Sequence, residues 1–82
     1  MKQVILTTVA DDHDGTGYAL MAELFNNLCF CHNLHGEVEA GSERCFVDYC
    51  DEKTAYNEAL EICASDPEHY DINKLLIREV EL

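Results

Sequence analysis

Apolar residues along this chain alternate between near-continuous runs and helical repeats, and each change of spacing marks an element. From Lys2 to Ala10 the chain is apolar and β-branched, with Val4, Ile5, Leu6, Thr7, Thr8 and Val9 in succession. Apolar groups on both faces suit a strand in the middle of a sheet. Asp11 to Gly17 reads DDHDGTG, a loop by composition. From Thr16 to about Asn33, Tyr18, Met21, Ala22, Phe25, Leu28 and Cys29 recur every three or four residues, so they share one helical face. Asp14 or Thr16 can cap the start of this helix, and Gly36 is the expected stop.

Glu37 to Ala40 reads as a short strand, Gly41-Ser42 as a tight turn, and Arg44 to Cys50 as a second strand of a hairpin. In that second strand Cys45, Val47 and Tyr49 fall on one face, and Phe46, Asp48 and Cys50 on the other. Asp51 can cap a second helix that runs to about Ser65, with Ala55, Tyr56, Ala59, Leu60 and Cys63 as its inner stripe. Asp66-Pro67 ends it, because proline lacks the amide donor and disfavours helix in the residue before it. Asn73 to Leu82 is the last strand, with Leu76, Val80 and Leu82 on one face. The order is strand, helix, strand, strand, helix, strand. It predicts a single α+β domain over residues 1–82 with the ferredoxin-like βαββαβ arrangement, in which two helices cover one face of a four-stranded antiparallel sheet.

Composition then narrows what such a domain can do. The 82 residues carry 17 acids against 5 bases, a net charge of −12. That field repels nucleic acid and anionic membrane and attracts basic surfaces. Direct DNA or RNA binding needs a cationic footprint, which five dispersed bases do not make. The apolar fraction of 48% is that of a folded globule. No apolar run approaches the length of a membrane span, and the N-terminal residues show no signal-peptide cleavage pattern. Five cysteines, an odd number, read as reduced thiols in a cytosolic protein.

Three local patterns bear on chemistry. The stretch DHDGTGYALMAE resembles an EF-hand calcium loop, with Asp12, Asp14, Thr16, Tyr18 (through its carbonyl) and Glu23 at ligand positions and Gly17 at the turn. It carries Ala19 where the family has Ile, Leu or Val. It follows a strand rather than a helix and has no second loop to pair with. The alternative is a strand-to-helix loop whose acids favour the helix N-terminus. Cys29, Cys31, His32 and His35 hold ligand types suited to zinc, but the spacing matches no common module, and the alternative is core cysteines beside a solvated helix end. A Cys/His nucleophile needs a lowered thiol pKa, which surrounding acids oppose. The sequence therefore predicts a protein that is not an enzyme and carries no cofactor.

What remains is the acidic surface. The expected partner-binding residues are Asp11, Asp12 and Asp14 in the loop, Glu37, Glu39 and Glu43 in the hairpin, and Asp51, Glu52, Glu58 and Glu61 on the second helix. Carboxylates spaced on a rigid scaffold can imitate a run of phosphates and compete for basic grooves. In size, acidity and predicted architecture the chain resembles phage-encoded inhibitors of host defence, particularly anti-CRISPR proteins. The resemblance rests on no sequence motif. It implies a DNA mimic acting in the host cytoplasm on a basic nucleic-acid-binding protein or complex, as a monomer or homodimer. The same element order is similar to small-molecule regulatory domains of the ACT type, a second implied role.

Overall fold

The computed structural model describes residues 1–41 and 44–82. Among them are strands β1 (Lys2–Thr8), β2 (Gly36–Val38), β3 (Arg44–Asp48) and β4 (Leu75–Glu81), and helices α1 (Thr16–Phe30) and α2 (Glu52–Ser65). A short 3-10 helix at Ile72–Lys74 leads into β4. The strands form one antiparallel sheet in the order β2-β3-β1-β4. β1 is central, as its two apolar faces require. It pairs with β3 from Gln3 opposite Asp48 to Thr7 opposite Arg44, and with β4 from Lys2 opposite Glu81 to Thr8 opposite Leu75.

Both helices lie on one face of the sheet. Val4, Leu6, Cys45, Val47 and Leu75 point into a single core with Leu20, Met21, Leu24 and Leu28 of α1 and Ala55, Ala59 and Ile62 of α2. Among the described residues no helix is long and apolar enough to cross a membrane.

The inner stripe of each helix is rotated from the expected one. On α1 the buried set is Gly17, Leu20, Met21, Leu24 and Leu28, while Tyr18 is 52% exposed. On α2 the buried set is Ala55, Ala59 and Ile62, while Tyr56 and Leu60 face out. Small residues occupy the tightest contacts, and the larger side chains are displaced to the rim. A Cβ on Gly17 would stand 2.5 Å from the Lys74 carbonyl oxygen.

Strand ends also differ from expectation. α1 stops at Phe30, and Asn33, with φ of 55°, reverses the chain before Gly36. Gly36 is thus no helix stop. It opens β2 and packs edge-on, its missing Cβ leaving room for the Phe25 ring and the Phe46 carbonyl. β3 ends two residues early because Tyr49 takes a left-handed conformation, φ 58°. Its N–H donates to the Lys2 carbonyl at 2.7 Å, its ring is 73% exposed, and the alternation flips so that Cys50 is buried instead. In β4 the core face is Leu75 and Ile77, so the predicted set of Leu76, Val80 and Leu82 looks away from the helices.

Gly17→Ala tests the close approach of α1 to the start of β4. The added methyl meets backbone that cannot rotate aside, so the variant should lose about 1–3 kcal/mol of stability by urea unfolding. An unchanged unfolding midpoint would contradict the packing described.

Candidate functional site

The expected binding residues divide into carboxylates that hold the fold and carboxylates that face solvent. In the first loop Asp12 accepts hydrogen bonds from the backbone N–H groups of Gly17 and Tyr18, both at 2.9 Å. Asp14 accepts from the Thr16 N–H at 3.1 Å and from its hydroxyl at 2.8 Å. These bonds satisfy donors that the first turn of α1 cannot satisfy itself. The Thr16 hydroxyl and N–H, with a smaller contribution from Lys74, hold the Asp14 carboxyl below its ordinary range. Asp11 is exposed, and its carbonyl receives the His13 N–H.

This geometry leaves little of the calcium loop. Asp12 and Asp14 face the backbone of α1, and Tyr18 engages Asp12 through its N–H. Glu23 lies more than a turn further along the helix, in a different cleft. Among the described residues no group of three or more His, Cys, Asp or Glu is placed to hold a metal ion. The zinc pattern disperses in the same way. Cys29 packs beside Gly36, Cys31 is exposed past the end of α1, and His32 turns to Glu58 at 3.2 Å. His35 contributes its backbone carbonyl to the Asp48 N–H. Burial pushes the thiols of Cys29, Cys45 and Cys63 up, and burial with the nearby Asp51 and Glu79 charges takes Cys50 to about 11. These shifts disfavour the nucleophilic thiolate.

In the hairpin Glu37 is exposed on β2, and Glu39 is paired with Arg44 at 2.9 Å. The Arg44 guanidinium also lies 5.9 Å from the centre of the Phe46 ring. Glu43 lies outside the described residues. On α2, Asp51 is the cap its sequence position suggests, accepting from the Thr54 N–H at 2.7 Å, which lowers its pKa. The Glu52 side chain is exposed, while its backbone N–H is taken by Glu79 at 2.9 Å.

Glu58 and Glu61 line a polar cleft between the helices, opposite Glu23 and Asn27 of α1, with Tyr70 closing one end. Asn27 and His32 both contact the Glu58 carboxylate. Glu23 was not among the expected partner-binding residues. Its signal in the sequence is the i, i+4 pair Glu23–Asn27 running beside the buried Leu24 and Leu28, matched on α2 by Glu58, Glu61 and Ser65.

Charge is unequal between the two faces of the molecule. Residues 51 to 71, comprising α2 and the loop after it, hold seven acids (Asp51, Glu52, Glu58, Glu61, Asp66, Glu68, Asp71) and one base, Lys53. Both arginines of the chain, Arg44 and Arg78, lie on the opposite, open face of the sheet beside Ile5, Thr7 and Leu76. The predicted acidic set therefore does not form one stripe. Glu37 and Glu39 belong to the sheet side, and Asp51, Glu52, Glu58 and Glu61 to the helical side. A separate, mostly apolar hollow lies between α1 and the hairpin, lined by Tyr18, Met21, Ala22, Phe25, Val38 and Cys45.

Comparison with protein-family models, with curated proteins and with solved structures finds no match.

The capping carboxylates give stability a defined acid limb. Asp14 and Asp51 have folded-state pKa values below the ordinary 3.8, so their contribution is complete above that value. It is lost as pH falls through the depressed values. Urea midpoints should drop on acidification below about pH 4, and Asp51→Asn should flatten that limb relative to the parent chain. An identical acid limb in both proteins would remove Asp51 from this role.

Proposed function

We propose that this protein is a non-enzymatic acidic binding protein, an anti-CRISPR-like inhibitor whose helical face occupies a basic nucleic-acid-binding surface of a partner complex in the host cytoplasm. The observation that carries the reading is the asymmetry of charge. Residues 51–71 carry seven acids and a single lysine, and Glu23 adds a carboxylate across the interhelical cleft; Lys2 is a further base acting on Asp51, while both arginines lie on the open face of the sheet. Focused charge of one sign on a rigid face accelerates encounter with a basic groove and competes with phosphates for it. The binding residues on this reading are Glu23, Glu52, Glu58, Glu61 and Glu68, with Asp12, Asp14 and Asp51 holding the scaffold that presents them. The element order and the sheet order β2-β3-β1-β4, with both helices on one face, support a ferredoxin-like scaffold. Burial raises the thiol pKa of Cys29, Cys45, Cys50 and Cys63, which makes those four side chains poor nucleophiles.

The test is competition between this protein and labelled target DNA across a panel of CRISPR effector complexes. Inhibition should weaken about tenfold or more between 50 and 200 mM salt, as screening removes the attraction. The combined variant Glu23→Lys, Glu61→Lys, Glu68→Lys should keep its circular dichroism and lose inhibition. A triple variant that inhibits as well as the parent would defeat the proposal.

The apolar hollow beside α1 favours one second reading, a small-ligand regulatory domain. It predicts a rise in melting temperature with one member of an amino-acid panel, abolished by Ala22→Trp, which fills the hollow. No shift with any member would dispose of it.

A further inference from the structure

The sheet leaves one face bare, and its composition differs from the rest of the surface. Gln3, Ile5 and Thr7 of β1, Phe46 of β3 and Leu76 and Val80 of β4 all point away from the helices, by the strand register and by the opposite burial of their neighbours. Leu76 is 56% exposed. Among the described residues the charged side chains of this face are Arg44 and Arg78 against Glu37, Glu39 and Asp48, two bases and three acids, a net of −1 within a chain of −12. Most of the chain's net charge thus lies off this face, so two copies meeting here face little like-charge repulsion.

Distribution across the face adds direction. Glu37 and Glu39 stand on the β2 side, and Arg44 neutralises Glu39. Asp48 is engaged by the Gln3 amide at 2.9 Å. Arg78 stands on β4, at the other side of the sheet, and among the described residues it has no ion-pair partner. Acid at one edge, an unpaired guanidinium at the other and apolar side chains between them make a surface complementary to itself.

We propose that this open face docks a second copy of the chain. A two-fold axis parallel to the strands lays β4 of each copy over β2 of the other. Arg78 then meets Glu37 of the second copy at both ends, and Ile5, Phe46 and Leu76 are covered in the middle. Such a contact is isologous, as a closed dimer requires. Four strands of three to seven residues, about 4.8 Å apart, form a small platform, which sets the dimer at the weak end of specific interfaces, with a micromolar dissociation constant. A different partner fits less well. A basic protein is drawn to the helical face, and an acidic one is repelled by the net charge.

Sedimentation equilibrium of the full chain at about 0.5 M salt, where mutual repulsion is screened, reads the result. The parent should dimerise, and association should tighten as salt rises, the reverse of the salt response expected of inhibitor binding. Leu76→Asp should give a folded monomer, since this side chain is largely outside the core. Arg78→Glu should weaken association about tenfold, and Glu37→Arg in that background should restore it. If Leu76→Asp fails to fold, the Arg78 and Glu37 pair still decides. A parent that is monomeric throughout, or a dimer broken by Phe30→Asp on the helical side and untouched by the sheet-face changes, would overturn the proposal. Neither outcome bears on inhibition by the acidic face, which Leu76→Asp leaves intact.

Discussion

β1 exchanges backbone hydrogen bonds with β3 on one side and β4 on the other, while Val4 and Leu6 are fully buried beneath the helices. β3, β4 and α1 pack directly on this strand, and β2 and α2 take their places through those neighbours. The 3-10 helix is fixed to its end through the Val9 N–H and the Lys74 carbonyl, and Gly17 brings α1 against that same carbonyl. Removing a polar backbone group from water requires a partner for it, and a central strand obtains partners on both edges at once. The two-sided apolar run of β1 is what allows so short a chain to hold a sheet and two helices on one core.

That scaffold divides the acids into two populations. Asp12, Asp14, Asp51 and Asp71 are drawn to backbone donors at the starts of helical segments, where partial positive charge makes them favourable. Of the helix glutamates, Glu58 is engaged by Asn27 and His32, while Glu23, Glu52 and Glu61 are exposed. Excess charge is therefore not only a solvation device here. Aspartates, with short side chains that reach their own backbone, build the frame, and longer glutamates populate the face that it presents.

Much of the architecture was legible in the sequence. Six elements in the right order followed from spacing alone, and Asp51 was identifiable as a cap because it immediately precedes the helical repeat. What was not legible had physical causes. Tyr18, Tyr56 and Leu60 are suitably spaced, but Gly17, Ala55 and Ala59 sit at close contacts and the buried stripes run on through Leu20, Leu24 and Leu28 and through Ile62. Tyr49 alternates correctly until its backbone enters a left-handed turn that no tyrosine advertises. Asp12 caps from five residues away, beyond the local window in which caps are read. The charge count was visible at once; which carboxylates were already committed to hydrogen bonds was not, because that depends on contacts between distant segments.

The placement of β1 also governs how the molecule is assembled. The strand that organises the sheet is residues 2–8, yet its neighbours are residues 44–48 and 75–81. Closing such distant segments costs chain entropy before any pairing repays it, so the topology favours slower folding than a helical bundle of equal length. During synthesis the β1 edge that β4 completes must wait until residues 75–81 have left the ribosome. The net charge of −12 adds like-charge repulsion between growing chains through that interval, which opposes their aggregation.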